Sequence, residues 1–181
     1  MHFQVRVGPS RIAGQGLFTE QDIPAGSVIL PYQGEKIASA ERARRLAAGN
    51  AYIFHLNYRY AIDGQSLENI ARYINHSCEP NCTVDRTGDT LWVVACRAIA
   101  AGEELSFNYG YDMQHYQANP CACGARTCCG YILDPQYWEH LRGAPPRPLP
   151  EPRAARPRPG PGPKASPAHG YTPDALSDAP R

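Results

Sequence analysis

Four of the seven cysteines fall within nine residues, at Cys121, Cys123, Cys128 and Cys129. This crowding limits how the C-terminal part of the chain can fold. The spacing Cys-x-Cys-x4-Cys delivers three thiolates from one tight loop, with Gly124 easing the bend. A closed structural zinc site takes four ligands. The fourth is either the adjacent Cys129 or a cysteine from elsewhere. An odd cysteine count fits a metal site better than a disulfide framework and places the chain in a reducing compartment.

The composition changes sharply near residue 143. Twelve of the eighteen prolines lie in 144–181. That stretch has little to bury and many residues that resist helix and sheet, so it is expected to be a disordered Pro/Arg/Ala-rich tail. Up to residue 143 there are 12 Lys/Arg against 14 Asp/Glu, and beyond it 6 against 3. The near-neutral balance offers no basic stripe of the kind that nucleic-acid binding needs. No stretch reaches the roughly 18 apolar residues of a bilayer span, and the first residues lack the apolar run of a signal peptide. The expected setting is intracellular, with nucleus and cytoplasm not distinguished.

The rest reads as short strands separated by turns. Phe3, Val5 and Val7 alternate, and Ser27–Leu30 is a second apolar run. Ser39 is placed to cap a helix over Ala40–Ala48, with Gly49 as its stop. Strands over Tyr52–Leu56 and Tyr58–Ile62 pair around Asn57, and Asp63-Gly64 makes the next turn. Val84–Arg86 and Thr90–Cys96 flank Thr87-Gly88-Asp89, a hairpin signal. Leu105–Tyr109 is strand-like. Many short strands with one or two small helices indicate a mostly-β domain of small sheets. There is no phosphate-binding P-loop and no glycine-rich turn of a dinucleotide fold.

Four further segments carry chemistry. Gly14-Gln15-Gly16-Leu17 follows the first strand, and its glycines let backbone approach a ligand. Tyr32-Gln33-Gly34-Glu35 ends a strand in a turn. Asn69-Ile-Ala-Arg72-Tyr-Ile-Asn75-His76-Ser77-Cys78-Glu79-Pro80-Asn81-Cys82 crowds polar groups between apolar flanks, where each must find a hydrogen-bond partner. Gly102-Glu103-Glu104-Leu105-Ser106-Phe107-Asn108-Tyr109-Gly110-Tyr111 sets Phe107, Tyr109 and Tyr111 on one face of an extended segment. An aromatic stripe is ordinarily core, but tyrosine hydroxyls also need partners.

In this order, the glycine loop, Tyr-x-Gly-Glu, Asn-His-Ser-Cys-x-Pro-Asn, Gly-Glu-Glu-Leu-x-Phe-x-Tyr and the cysteine loop closely resemble the SET-domain protein-lysine methyltransferases with a C-terminal post-SET zinc loop. The match spans about residues 3–133. The resemblance implies small β-sheets in which the Asn-His-Ser segment and the final tyrosine segment thread together as a pseudoknot. It implies a SET domain over 1–115, a post-SET loop and C-terminal segment over 116–143, and the tail over 144–181.

It also implies roles for individual residues. S-adenosylmethionine would be held by Gly14, Gln15, Gly16, Leu17 and Tyr32 at its methionine end. Asn75 and His76 would contact its amino group and adenosine, and Tyr131 would pack on adenine. Tyr109 would be the catalytic tyrosine and would also contact the cofactor, Tyr52 would line the lysine channel, and Phe107 would occupy the position that governs product methylation. Cys78 would join Cys121, Cys123 and Cys128 around a structural zinc. The expected partner is a protein substrate presenting a lysine, a histone or another basic protein. The chain is expected to act as a monomer, without nucleic acid or membrane. Asn75, His76 and Tyr109 are all present, which favours catalysis over a binding module. The chain departs from the family at Pro31, Glu68, Asn108 and Cys129, and none of these removes a reacting group.

Overall fold

The structure, a computed structural model, describes residues 3–114 and 116–141. The Pro-rich stretch 144–181 lies outside the described residues. Ten short strands make four small sheets: β1 (Val5–Pro9), β2 (Gln15–Thr19), β3 (Val28–Pro31), β4 (Glu35–Ala38), β5 (Ile53–His55), β6 (Tyr60–Asp63), β7 (Asn75–His76), β8 (Cys82–Thr87), β9 (Thr90–Ala95) and β10 (Ser106–Phe107). The sheets are β1-β2, β3-β9-β8, β4-β6-β5 and the two-residue pair β10-β7. The expected mostly-β architecture of small sheets is what the chain adopts.

The β8-β9 hairpin forms where expected. Its partners Thr87 and Thr90 leave only Gly88-Asp89 as the loop, and Gly88 has a φ of 59°. Glycine first in a two-residue loop suits a turn whose twist matches the flanking strands. In β9, Leu91, Val93 and Ala95 turn inward and alternate with less buried neighbours, the period of a strand with one face on the core. They join Leu17, Ile23, Ile74, Ile99 and Leu105 in the main apolar cluster.

Helix α1 (Ser39–Ala47) is one residue displaced from expectation. Ser39 is its first residue and not its cap, because its hydroxyl donates to the Tyr58 carbonyl oxygen at 2.9 Å. Gly49 ends the helix as expected, with a φ of 87° and an N–H bond to the Leu46 carbonyl. Arg45 on α1 binds Glu41, Glu35 and the buried Asp63 carboxylate, the last at 2.6 Å. These bonds fasten the helix to β4 and β6.

The strand expected over Leu105–Tyr109 is a ladder only at Ser106 and Phe107, which run parallel to Asn75 and His76. The flanking backbone groups bond elsewhere. Leu105 N–H goes to the Leu17 carbonyl, and Tyr109 N–H goes to the His76 ring. Buried amides accept any well-placed partner, so the segment stays extended without a longer sheet. Three short 3-10 helices, Ile70–Tyr73, Tyr116–Ala118 and Pro135–Leu141, complete the described chain. No helix among the described residues is long and apolar enough to cross a membrane.

Candidate active site

The β7-β10 pair brings together two segments 31 positions apart in register, Asn75 beside Ser106 and His76 beside Phe107. Buried polar side chains lock it. Asn81, 1 % exposed, accepts from the Ser106 N–H at 2.8 Å and donates to the Glu104 carbonyl at 2.8 Å. The His76 Nδ1 accepts from the Tyr109 N–H at 3.1 Å. The Tyr109 hydroxyl donates to the Ile74 carbonyl at 2.9 Å, so the residue is held at its backbone and at its side-chain tip.

The glycine segment, expected as a turn but lying from Gln15 onward in β2, is anchored to the same pair. Asn75 Nδ2 reaches the Gln15 carbonyl at 3.1 Å, Ser10 Oγ at 2.9 Å and Glu104 Oε1 at 2.6 Å. Ser10 Oγ also donates to Glu104 and accepts from the Ile12 N–H. Glu104 lies directly behind Gly16, where an added Cβ would stand 2.3 Å from its Oε1. Gly14 adopts a φ of 50°. The two glycines therefore have different reasons: one needs left-handed backbone and the other needs empty space.

Aromatic rings pack in sequence from Tyr32 to Tyr111. Tyr32 meets Phe54 at 4.5 Å, Phe54 meets Phe107 at 5.6 Å, Phe107 meets Tyr109 at 5.2 Å, and Tyr109 meets Tyr111 at 6.1 Å. The stripe read from the sequence lies in the main apolar cluster. The Tyr32 hydroxyl donates to the Tyr52 carbonyl at 2.9 Å. Burial, then the neighbouring Tyr109 phenol, pushes its pKa well above the ordinary tyrosine value. Tyr32 also lines a cleft of about 590 Å³ with Gln33, Gly34, Glu68 and Asn69.

Sequence reasoning assigned no role to Arg72. Its guanidinium lies 4.3 Å over the Tyr52 ring and 5.7 Å from that of Tyr73. Its Nε is buried without a hydrogen-bond partner. An orphaned guanidinium nitrogen beside Tyr52 and Tyr73 fits a carboxylate ligand, since such groups are costly to bury alone. The arginine stands inside the Asn-Ile-Ala-Arg-Tyr-Ile-Asn-His string. The signal that could have found it is a cation among apolar neighbours, just ahead of the two polar site residues.

Four thiols meet at the C-terminal edge. The Sγ atoms of Cys78, Cys121, Cys123 and Cys128 all lie within 4.8 Å of one another. Cys78 Sγ is 3.9 Å from that of Cys121 and 3.8 Å from that of Cys128. A tetrahedron with Zn–S bonds of about 2.3 Å has sulfur–sulfur edges of about 3.8 Å, so the donor set fits zinc. Cys129 is outside the four, with its Sγ 3.2 Å from the Tyr131 carbonyl. Tyr131 packs edge-on against Tyr116 at 4.9 Å, beside the cluster. It neighbours the thiols more directly than it does the aromatic row.

The arrangement therefore gathers the glycine loop, Tyr32, Tyr52, Asn75, His76, Phe107 and Tyr109 around one crossing and attaches the cysteine cluster to it through Cys78. The sequence pattern of the SET domain matches residues 14–110. The chain belongs to the SET-domain family. It is 36% identical over 137 residues to the histone-lysine N-methyltransferase trithorax of Drosophila virilis, covering 71% of this chain and 4% of that protein. It is 34% identical over 138 residues to histone-lysine N-methyltransferase set-2 of Caenorhabditis elegans, covering 71% and 9%. It is 36% identical over 139 residues to the H3 lysine-4 specific histone-lysine N-methyltransferase of Schizosaccharomyces pombe, covering 71% and 15%. This SET-domain chain thus spans a small part of the length of these curated relatives.

Proposed function

We propose that this SET-domain chain transfers methyl groups from S-adenosylmethionine to the side-chain amine of lysine in a protein substrate. The observation that carries this reading is Tyr109, its hydroxyl fixed on the Ile74 carbonyl and its backbone N–H on the His76 ring, in a buried aromatic setting. When bound, S-adenosylmethionine supplies an electrophilic methyl on a sulfonium. The chain's own residues then bind, orient and exclude water.

Arg72 is the candidate anchor for the cofactor carboxylate, beside Tyr32 and Tyr52. The glycine loop at Gly14–Leu17 offers backbone to the methionine end, and Asn75 holds that loop in place through its contacts with Gln15 and Glu104. His76 and Tyr131 are assigned to the adenosine end. Tyr52 and Phe107 are assigned to the lysine channel, and the absence of a hydroxyl at Phe107 favours a more highly methylated product.

A lysine with a pKa near ~10.4 is mostly protonated at neutral pH. Entering the channel assigned to Tyr52 and Phe107, beside a cation, disfavours its charged form. The amine then needs aiming more than activating. Good alignment at roughly 3–3.5 Å supplies several kcal/mol of the barrier. Tyr109 serves as an orienting group, its hydroxyl already placed by donation to the Ile74 carbonyl.

Cys78, Cys121, Cys123 and Cys128 would hold a structural zinc, since four thiolates leave no open position for chemistry. The division into a SET unit over 1–115 and a zinc-bearing segment over 116–143 is supported by the family match and the position of the cluster. The reduced cysteines and the names of the relatives support action inside the cell. Histone tails are the first substrates to try, because those relatives are named histone-lysine N-methyltransferases. The test is incubation of the purified chain with methyl-labelled S-adenosylmethionine and core histones, followed by mass spectrometry of lysine peptides. Labelled lysine is the expected result. A chain that binds the cofactor yet labels neither histones nor a mixed extract of basic proteins refutes the reading.

A further inference from the structure

His76 stands between the two halves of the site. Its ring is buried, 3 % exposed, and packs edge-on against Tyr109 at 5.4 Å. One nitrogen, Nδ1, accepts the backbone N–H of Tyr109 at 3.1 Å. The other, Nε2, lies 3.6 Å from the Sγ of Cys78, a member of the four-thiol cluster. An imidazole nitrogen that accepts an N–H bond carries no proton of its own, so the ring hydrogen belongs on Nε2. From there it points at a sulfur which, in a metal-filled cluster, is a thiolate and therefore an acceptor.

We propose that His76 is a positioning residue that couples the metal centre to the catalytic tyrosine, donating from Nε2 to the Cys78 thiolate while holding the Tyr109 backbone through Nδ1. The inference rests on the methyltransferase reading only for the word catalytic; the coupling itself is structural. Groups that hydrogen-bond metal ligands fix the ligands' direction, and the effect runs both ways. A filled cluster holds Cys78 still, Cys78 holds the ring, and the ring holds the amide of Tyr109. That amide belongs to the same residue whose hydroxyl bonds Ile74, so a shift at one end tilts the phenol at the other. The cysteine loop is thus expected to tune catalysis as well as close the fold. Emptying the cluster frees Cys78 and loosens the grip on Tyr109.

The test uses the full chain in two metal states. Histidine-selective NMR of the zinc-loaded protein is expected to show His76 as the Nε2–H form, with a slowly exchanging ring proton. Replacing zinc with cadmium-113 is expected to give a through-bond coupling between that proton and the metal. Removing the metal is expected to abolish both signals and to shift the Tyr109 amide. In His76→Asn the amide oxygen takes the Nδ1 place but nothing reaches Cys78, so the Tyr109 amide should no longer respond to metal exchange. Its kcat is expected to fall about tenfold with a smaller change in KM for the lysine peptide. An Nδ1–H ring in the loaded wild-type protein, or a Tyr109 amide that responds equally in both proteins, overturns the coupling. These readings need no turnover. If they come out as expected while no lysine is methylated, the coupling stands and the methyltransferase assignment fails.

Discussion

Asn75 Nδ2 and Glu104 Oε1 lie 2.6 Å apart beneath the glycine loop, joining β7 to the segment that leads into β10. The same carboxylate binds Ser10 and fills the space behind Gly16. Asn75→Ala removes the donor and leaves a part-buried carboxylate and the Gln15 carbonyl short of partners. Such orphaning costs about 1–3 kcal/mol. Chemical denaturation should register that loss, and S-adenosylmethionine binding should weaken with it. Unchanged values for both would show that the loop is held by other means.

Arg72→Ala should weaken S-adenosylmethionine binding about 10- to 100-fold, the worth of a charge-assisted bond. Arg72→Lys should recover part of the loss, because it restores charge without the fork. Calorimetric titration with the cofactor checks this. Equal affinity in wild type and Arg72→Ala would remove Arg72 from the site.

Tyr109→Phe should lower turnover about 100-fold, the scale of a misaimed reaction, with cofactor affinity changed only slightly. The lost bond to Ile74 should cost about 1 kcal/mol of stability. Parallel kinetics and thermal melts separate the two effects. Near-normal turnover would exclude Tyr109 from the reaction.

Acid should attack the fold at Asp63. Burial works to raise its carboxyl, but bonds from Arg45, Asn50 and the Gln65 N–H outweigh it and hold the pKa below the ordinary aspartate value. A depressed carboxyl stabilises the fold above its unfolded pKa and loses that contribution as pH falls through the folded value. The urea midpoint should therefore drop as pH is taken below the ordinary aspartate value, and Asp63→Asn should flatten that drop. At neutral pH the same variant should lose about 1–3 kcal/mol, the figure discounted because Arg45 is partly exposed. A wild-type midpoint that is level down to that range would argue against the depressed carboxyl.

Metal analysis should find one zinc per chain. Chelation should lower the melting temperature by about 10 °C, as expected for losing several kcal/mol in a domain of this size. Hydrogen exchange should quicken over residues 119–133, whose backbone bonds surround the cluster. Full activity after complete metal removal would defeat the structural role.

Much of this was legible in local sequence. Gly88-Asp89 announced its hairpin, Gly49 its helix stop, and the alternation of β9 its inward face, because each depends on neighbours within a few positions. The membership of Cys78 in the cluster was not local: it lies 43 residues from Cys121, and only the family resemblance supplied it. The cap misread at Ser39 has the same origin, since its hydroxyl bonds Tyr58, 19 residues on. The bonds of Asn81 to Ser106 and of Asn75 to Glu104 also join distant segments. Side chains that replace a backbone ladder leave no periodic trace. Arg72 was overlooked because a charge in an apolar string reads as a surface interruption until its neighbours are seen.

The bond between Ser10 and Glu104 spans 94 positions, and this separation governs the order in which the protein can mature. Closing so long a loop demands entropy that local contacts cannot return. Hairpins such as β8-β9 can form while synthesis continues, but the crossing that holds Tyr109 must wait until residues beyond 107 have left the ribosome. A nascent chain stalled before that point would be partly structured and catalytically silent, with the edges of its small sheets open to chaperones or to aggregation.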